Sequence, residues 1–456
     1  MCLVEMARKA TRRKVRYDGI DAVDLFCGGG VLTCGLRQTG IEVRMGVDFD
    51  GRCEYAYKHN NHATFLHKSV TDVTAKEVSD NFREGHVSLL AGCAPCQTFS
   101  KYNQKATWRD KRWLLLDQFT RLVNETQPQL VTMENVPKLE DQKVFSRFTD
   151  ALHDLGYHVC HQVVECPKYG LPQLRQRVVL IASIFGDIQV PPPPENVHVQ
   201  TVREIIGDLP ELNAGECDPD DRLHFCAALS PLNMRRIQVS RQGGTWRDWP
   251  EELVAECHRR DTGKTYGGVY GRMSWDKPAP TMTTQFYGFG NGRFGHPEQD
   301  RAISIREGAM FQGFPRDYQF VPEGEHANIS LLGKMIGNAV PVRHWKLIGD
   351  VFVAHLKGKN SPADIATFTA QYTRLAIRYN ETWHDCFLIV DQKEIFWTGA
   401  SLKDAGRLTS AAAKMGAEVI PGLLESIRKA TSDQREYGKG KKTAFAEDER
   451  SVKEAA

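Results

Sequence analysis

The sequence predicts an α/β fold, in which a parallel sheet covered by helices on both faces is followed by a loop-rich region and a C-terminal extension. Two observations carry that prediction. Short apolar runs with strand character recur at 20–26, 43–48, 87–90, 130–133 and 178–183. Between them lie stretches with helical spacing, and strands alternating with helices build parallel sheets. In such sheets chemistry gathers at the carboxyl ends of the strands.

The first run, Ile20 to Phe26, leads into Cys27-Gly28-Gly29-Gly30 and a helical segment that stops at Gly40. Val43, Met45 and Val47 then alternate up to Asp48, which stands 20 residues after Gly28. Glycines after a first strand let the backbone approach a ligand closely, and an acid closing the second strand can bind a ribose hydroxyl pair. Position 33 is Thr and the next glycine is Gly35, which departs from the G-x-G-x-x-G of pyrophosphate dinucleotide sites. The spacing fits a nucleoside cofactor without phosphate, such as S-adenosylmethionine. A tight turn beside an incidental acid is the plainer alternative.

The run at 87–90 ends in Gly92-Cys93-Ala94-Pro95-Cys96-Gln97. Cys-x-x-Cys reads as a redox dithiol, as half of a zinc site, or as a single nucleophile, Cys96, presented from a turn. The sequence has no second Cys-x-x-Cys to complete a zinc site, so no metal is expected. Residues 100–112 carry Lys101, Lys105, Arg109, Lys111 and Arg112 against Asp110 alone, with Tyr102 and Trp108 interleaved. A basic, aromatic loop beside a cysteine suits an anionic polymer better than a dithiol partner.

The next run ends in Glu134-Asn135-Val136-Pro137, where a carboxyl near a nucleophile can serve a ring nitrogen. A Glu before a helix-capping Asn is the ordinary reading of the same residues. Gln173, Arg175 and Arg177 alternate and share a face if the segment is extended, and arginines leading into a buried strand need carboxylate or phosphate partners.

Four prolines at 191–194 break the pattern. Residues 204–221 hold seven acids and no base, and 222–271 are rich in Arg, Gly and Trp with little periodicity. Regular patterning returns at 272–286 and at 330–357. A linker, KGKNSP at 357–362, opens the C-terminal extension, whose tail from 436 to 456 is expected to be disordered.

With 456 residues, 41% hydrophobic and 25% charged, the chain excludes disorder as its dominant state. Its twelve cysteines at irregular spacing are expected to be reduced thiols of a cytoplasmic protein, and no apolar run nears the ~18 residues of a membrane span. The formal charge of +2 is a cancellation. Residues 1–17 carry six bases and one acid, and 235–247 carry four arginines and no acid, against the seven acids of 204–221. Basic surfaces facing a cleft, and binding that weakens steeply with salt, are expected.

Taken in order, these motifs resemble the cytosine-5 DNA methyltransferase family. The resemblance rests on Asp24-Leu25-Phe26-Cys27-Gly28-Gly29-Gly30 with Gly35, Asp48, Asp72, Pro95-Cys96-Gln97, Glu134-Asn135-Val136, Gln173-x-Arg175-x-Arg177, the block from Arg272 to Phe320, and Gly337-Asn338-Ala339-Val340-Pro341. It implies a Rossmann-like S-adenosylmethionine-dependent catalytic domain at 18–190 plus 330–357. A target-recognition domain would occupy 191–329, with its variable part at about 191–271. Cys96 is implied as the nucleophile on carbon 6 of a flipped-out cytosine, Glu134 as its ring partner, and Arg175 with Arg177 as groups holding the base. Phe26, Gly28, Gly30, Asp48, Asp72 and Asn338 are implied for the cofactor. For duplex DNA the candidates are Gln97, Ser100, Arg112, Gln173, Arg241, Trp246 and Arg247. The implied setting is a bacterial or phage restriction-modification system, with a cognate endonuclease that need not bind directly and a monomeric enzyme. An RNA substrate and a catalytically silent DNA-binding scaffold are the rival readings. The large 191–271 insert opposes the first, and the intact set of Cys96, Glu134, Arg175 and Asp48 opposes the second.

Two departures stand out. Ala94 occupies a position where the family usually has proline. In the extension, 360–435, His384-x-Cys386 with Asp391 and Gly399 to Asp404 weakly resembles a phospholipase-D-type half site, but with Cys386 where lysine is normal. A structural or DNA-contacting remnant is expected there.

Overall fold

A computed structural model of the chain describes residues 18–95, 114–325 and 327–358, and the backbone of three later strands. The chain divides into two compact units, 1–365 and 366–456. The first is organised by a seven-stranded sheet of order β3-β2-β1-β4-β5-β8-β6. Within it β1 (Ile20–Leu25), β2 (Glu42–Asp48), β3 (Thr64–His67), β4 (Val87–Gly92) and β5 (Leu130–Asn135) run parallel. The strand β8 (Gln176–Ser183) runs antiparallel to both β5 and β6 (His158–Glu165). This corrects the expectation of a wholly parallel sheet. Only residues 166–175 join β6 to β8, too few for a helical crossover, so the chain returns beside itself in the opposite direction. The edge strands β3 and β6 escaped the sequence reading because each is half exposed and broken by polar residues.

β1 is buried along its whole length, as a strand with helices on both faces must be. Its residues alternate between two cores. Val23 and Leu25 join Leu90, Val131, Phe119 and Phe148, while Ile20 and Ala22 join Leu89, Leu36, Trp345 and Phe352. The second core brings back the helix Val342–Gly358 from the far end of the unit. A Cβ at Gly35 would lie 2.4 Å from Trp345 Cβ and 2.5 Å from the Val342 carbonyl oxygen, so glycine is what lets the helix Val31–Arg37 meet this one.

Residues 191–329 are loop-rich, with short helical turns and a small core of Ile237, Trp246, Trp249, Leu253 and Phe289. A larger apolar cluster carries Trp275, Met282, Phe286 and Phe311 onto Cys27, Val31 and Tyr57, tying this region to the first glycine turn. The 272–286 segment, expected to be regular, is mostly irregular backbone. Its one short strand, β9 (Ala279–Pro280), pairs in parallel with β7 (Gln173–Leu174).

In the second unit β10 (Leu375–Tyr379), β11 (Cys386–Val390) and β12 (Lys393–Trp397) form an antiparallel meander. Cys386 opens β11, while His384, Asp391, residues 399–404 and the 436–456 tail lie outside the described residues. No helix among the described residues is long and apolar enough to cross a membrane.

Candidate active site

The sheet's strand order runs outward in opposite directions from β1 and β4, so the crevice above their carboxyl ends is the switch point where ligands of such sheets sit. Beyond β1 the backbone is left-handed at Phe26 (φ 62°), Gly28 (φ 48°) and Gly30 (φ 88°). A left-handed non-glycine residue is the kind of local strain that clusters at ligand sites. A Cβ at Gly28 would meet nothing within 4 Å, so its backbone angle is what requires glycine there. Its amide donates to Asp48 Oδ2 at 2.9 Å, and the Asp50 amide donates to Oδ1 at 2.9 Å. Two amides thus orient the Asp48 carboxylate, whose pKa burial nonetheless raises. At Gly30 a Cβ would meet Asn61 Nδ2 at 2.2 Å, so any side chain is excluded. Asn61 Nδ2 donates to the Tyr318 hydroxyl (3.1 Å), which donates to the Gly29 carbonyl (2.5 Å), and the pair clamps the turn.

Asn338 is exposed at the end of the helix Ile329–Asn338. Met335 of that helix comes within 3.6 Å of a Cβ built on Gly29, which packs the helix against the glycine turn three residues before Asn338. Asp72 is exposed in the 3-10 turn after β3, and Phe26 is half-buried against the core beside it. Phe49, directly after Asp48 and not singled out by the sequence reading, is 71% exposed, and Asp24, which opens the glycine motif, is fully buried. Thr33 Oγ1 donates to Asp24 Oδ2 (2.8 Å), but Oδ1 has no partner; burial, with Asp48 adding, raises the Asp24 pKa to about 8.

On the neighbouring strand ends the chemistry is different. Glu134, at the end of β5, is 3% exposed, and Arg177 Nε stands 2.6 Å from its Oε1. The N–H is not aimed at that oxygen, so the contact is an ion pair without an aligned hydrogen bond. Burial raises the Glu134 pKa, against the pull of Arg177 and Arg175. Arg175, also 3% exposed, donates from Nη1 to the Met282 carbonyl at 3.0 Å and leaves Nε unpartnered. Burial lowers its pKa to about 9, so it remains charged at neutral pH. Beside Glu134, Asn135 Nδ2 donates to the Ala94 carbonyl (3.0 Å) while its Oδ1 accepts from the Val136 amide (2.8 Å). The side chain read as a helix cap therefore ties β5 to the turn that leads to Cys96.

Cys96, Gln97, Ser100 and Arg112 lie outside the described residues. Two assignments to DNA are corrected. Gln173 is fully buried, with its amide spent on protein partners. Trp246 is 7% exposed, stacked on His258 at 4.5 Å with its Nε1 donating to the Tyr266 carbonyl, so it builds the core of the loop-rich region. Arg241 and Arg247 are exposed. Arg241 pairs with Asp248 (2.7 Å), and Arg247 lies over the Trp246 ring and donates to the Lys264 carbonyl (2.7 Å). Among the described residues, no group of His, Cys, Asp and Glu could hold a metal ion.

A mostly parallel doubly wound sheet with a glycine turn and an oriented acid at its switch point defines a Rossmann-like nucleoside-binding class. Residues 20–353 match the family model of C-5 cytosine-specific DNA methylases, and the chain belongs to that family as a DNA cytosine-5 methyltransferase. It is 49% identical over 342 residues to the type II methylase M.HgiDII of Herpetosiphon aurantiacus, covering 74% of this chain and 96% of the relative. It is 29% identical over 355 residues to the type II methyltransferase M.PspPI of a Psychrobacter strain, covering 75% and 80%. A similar fold occurs in a solved putative DNA modification methyltransferase from an Escherichia coli prophage. The TM-score is 0.53 at 22% identity, over 74% of this chain and 99% of that one.

Proposed function

We propose that the chain is the modification enzyme of a type II restriction-modification system, methylating carbon 5 of a cytosine flipped out of a specific duplex sequence. The observation that carries the mechanism is the juxtaposition of two half-sites at the carboxyl ends of strands on either side of β4. Asp48 and the glycine turn stand beyond β1 and β2, and Glu134 with its arginines stands beyond β5, next to the Ala94 turn. The first half-site suits S-adenosylmethionine, which supplies an electrophilic methyl group when bound. Asp48 would take the ribose hydroxyls, Asp72 the adenine amine and Asn338 the near side of the pocket, while exposed Phe49 and half-buried Phe26 offer rings for the adenine.

In the second half-site Cys96 forms a bond from sulfur to carbon 6, which turns carbon 5 into an enamine nucleophile. Glu134, whose pKa burial raises, shares its proton with ring nitrogen 3 and takes the charge that develops there. Arg177 keeps that carboxyl in place, and Arg175 holds the base. Carbon 5 takes the methyl group as its bond to the sulfonium breaks and S-adenosylhomocysteine leaves; the carbon 5 proton then passes to a solvent base while the carbon–sulfur bond breaks and the Cys96 thiolate is restored. Arg241 and Arg247 would contact phosphate and base edges from the 191–329 region, and 18–190 with 330–357 would form the catalytic body.

Tritiated S-adenosylmethionine incubated with duplex DNA or with tRNA tests the reading. We expect methyl transfer to DNA, its loss in Cys96→Ser, and covalent trapping on DNA containing 5-fluorocytosine. Transfer to tRNA alone, or trapping that survives Cys96→Ser, would sink it. Bisulfite sequencing of DNA from an expressing host then gives the recognition sequence.

A further inference from the structure

Between the two half-sites runs a buried amide pair that neither half-site needs for itself. Gln312 and Gln173 are both fully buried. Gln312 Nε2 donates to the carbonyls of Ile336 (2.6 Å) and Ala339 (2.7 Å), closing the end of the helix that carries Asn338, and its own carbonyl accepts from the Val342 amide (3.0 Å). Its Oε1 accepts from Gln173 Nε2 at 3.0 Å, and the same nitrogen donates to the Phe311 carbonyl at 3.3 Å. Gln173 Oε1 in turn accepts from the Met282 amide (3.1 Å) and, at 3.4 Å, from Arg175 Nη1. Arg175 holds the carbonyl of the same Met282, so the two side chains grip the backbone of one residue on both sides of its Cα.

The amide orientations are locked. Flipping Gln312 would set its oxygen against two carbonyls, and flipping Gln173 would set its nitrogen against an arginine and an amide. A second path runs in parallel through packing. Cβ atoms at Gly333 and Gly337 would come within 2.7 Å of the Thr284 carbonyl oxygen and 2.2 Å of the Thr283 carbonyl oxygen, so the Asn338 helix lies directly on the backbone that follows Met282. Met282 thus links Arg175 to the backbone on which the Asn338 helix sits.

We propose that Gln312 is a positioning residue that, through Gln173, couples the occupancy of the base-holding half-site at Arg175 to that of the cofactor half-site at Asn338. The proposal rests on the functional reading above. Coupling of this kind is reciprocal, because the binding free energies must close a cycle.

The test uses the full-length enzyme with S-adenosylhomocysteine as the probe, titrated alone and in the presence of a duplex carrying the target sequence. In the wild type we expect DNA to tighten the probe about fivefold or more. In Gln312→Met, which keeps length and volume but cannot hydrogen-bond, the ratio is expected to fall to within about twofold of one; Gln173→Met should do the same from the other end of the pair. Ile181→Ala, a core truncation in β8 remote from the amide pair, controls for destabilisation and should keep the wild-type ratio. A ratio near one in the wild type overturns the proposal, as does an unchanged ratio in a folded Gln312→Met. An equal loss in Ile181→Ala also overturns it. Failure of the functional reading looks different, since no methyl transfer to DNA would then occur in any variant.

Discussion

Replacing Asn135 by alanine asks whether the turn leading to Cys96 is held from the neighbouring strand. Asn135 is 4% exposed and makes two hydrogen bonds, to the Ala94 carbonyl at 3.0 Å and from the Val136 amide at 2.8 Å. Ala94 is itself 7% exposed, so its carbonyl gains little water when the partner goes. Each buried group left unpaired costs about 1–3 kcal/mol, which puts the loss of stability for the two groups at about 2–6 kcal/mol. The loss of activity should exceed what that destabilisation implies. Freeing Ala94 lets the chain two residues further on drift, and a displacement of about 1 Å at a reacting atom can cost about 100-fold in rate. Urea unfolding gives the first quantity, and the single-turnover rate of covalent trapping on 5-fluorocytosine DNA gives the second. Asn135→Asp sharpens the reading, because it keeps the acceptor for Val136 but turns a carboxylate oxygen toward the Ala94 carbonyl. It should trap as slowly as the alanine variant. Wild-type trapping in a variant destabilised by the expected amount would refute a positioning role for Asn135.

Three more outcomes follow from the described geometry. Asp24→Asn should flatten the pH dependence of stability. Because the native pKa is raised to about 8, the folded state holds a proton that the unfolded chain has lost above its ordinary value of 3.8. The wild type should lose at most about 6 kcal/mol as pH rises from 4 to 8, seen as a falling urea midpoint, and an equal slope in both proteins would count against the assignment. His344 is fully buried with both ring nitrogens unpartnered, and burial lowers its pKa to about 3. Its contribution has the opposite sign, with stability lost as pH falls from about 6.5 toward 3, and His344→Leu should abolish that loss and raise the midpoint at pH 7 by the equivalent of about 1–3 kcal/mol; a lower midpoint would contradict it. Arg241→Ala and Arg247→Ala should each lower the slope of log affinity against log salt by about one if the arginine meets a phosphate, and an unchanged slope would remove that residue from the interface.

Local chemistry made the turns at the strand ends legible. A glycine run after a buried strand, an acid closing the next strand, and Glu-Asn after a third each state a backbone or charge requirement within a few residues of themselves, so Gly28, Gly30, Asp48 and Glu134 could be named without coordinates. What stayed hidden depended on partners far along the chain. Trp246 among arginines reads the same whether its ring faces a base or His258, and the 4.5 Å stack decides the matter in favour of the core. Gln173 in an alternating Gln-x-Arg-x-Arg pattern was assigned to the correct face, but that face is interior, because Gln312 arrives from 139 residues away to meet it. Asn135 looked like a helix cap because capping is what a local reading offers an Asn before a turn, whereas its actual acceptor lies on Ala94, 41 residues earlier. The reversed strand β8 follows the same logic, since the apolar run predicted a strand but its direction depended on the length of chain available to turn. Sequence thus reports local backbone and charge requirements, while the groups that hold those residues in register are chosen by tertiary pairing. A variant at Gln312 or Asn135 is therefore a sharper probe of this enzyme's geometry than another at Glu134, because its effect can reach the chemistry only through position.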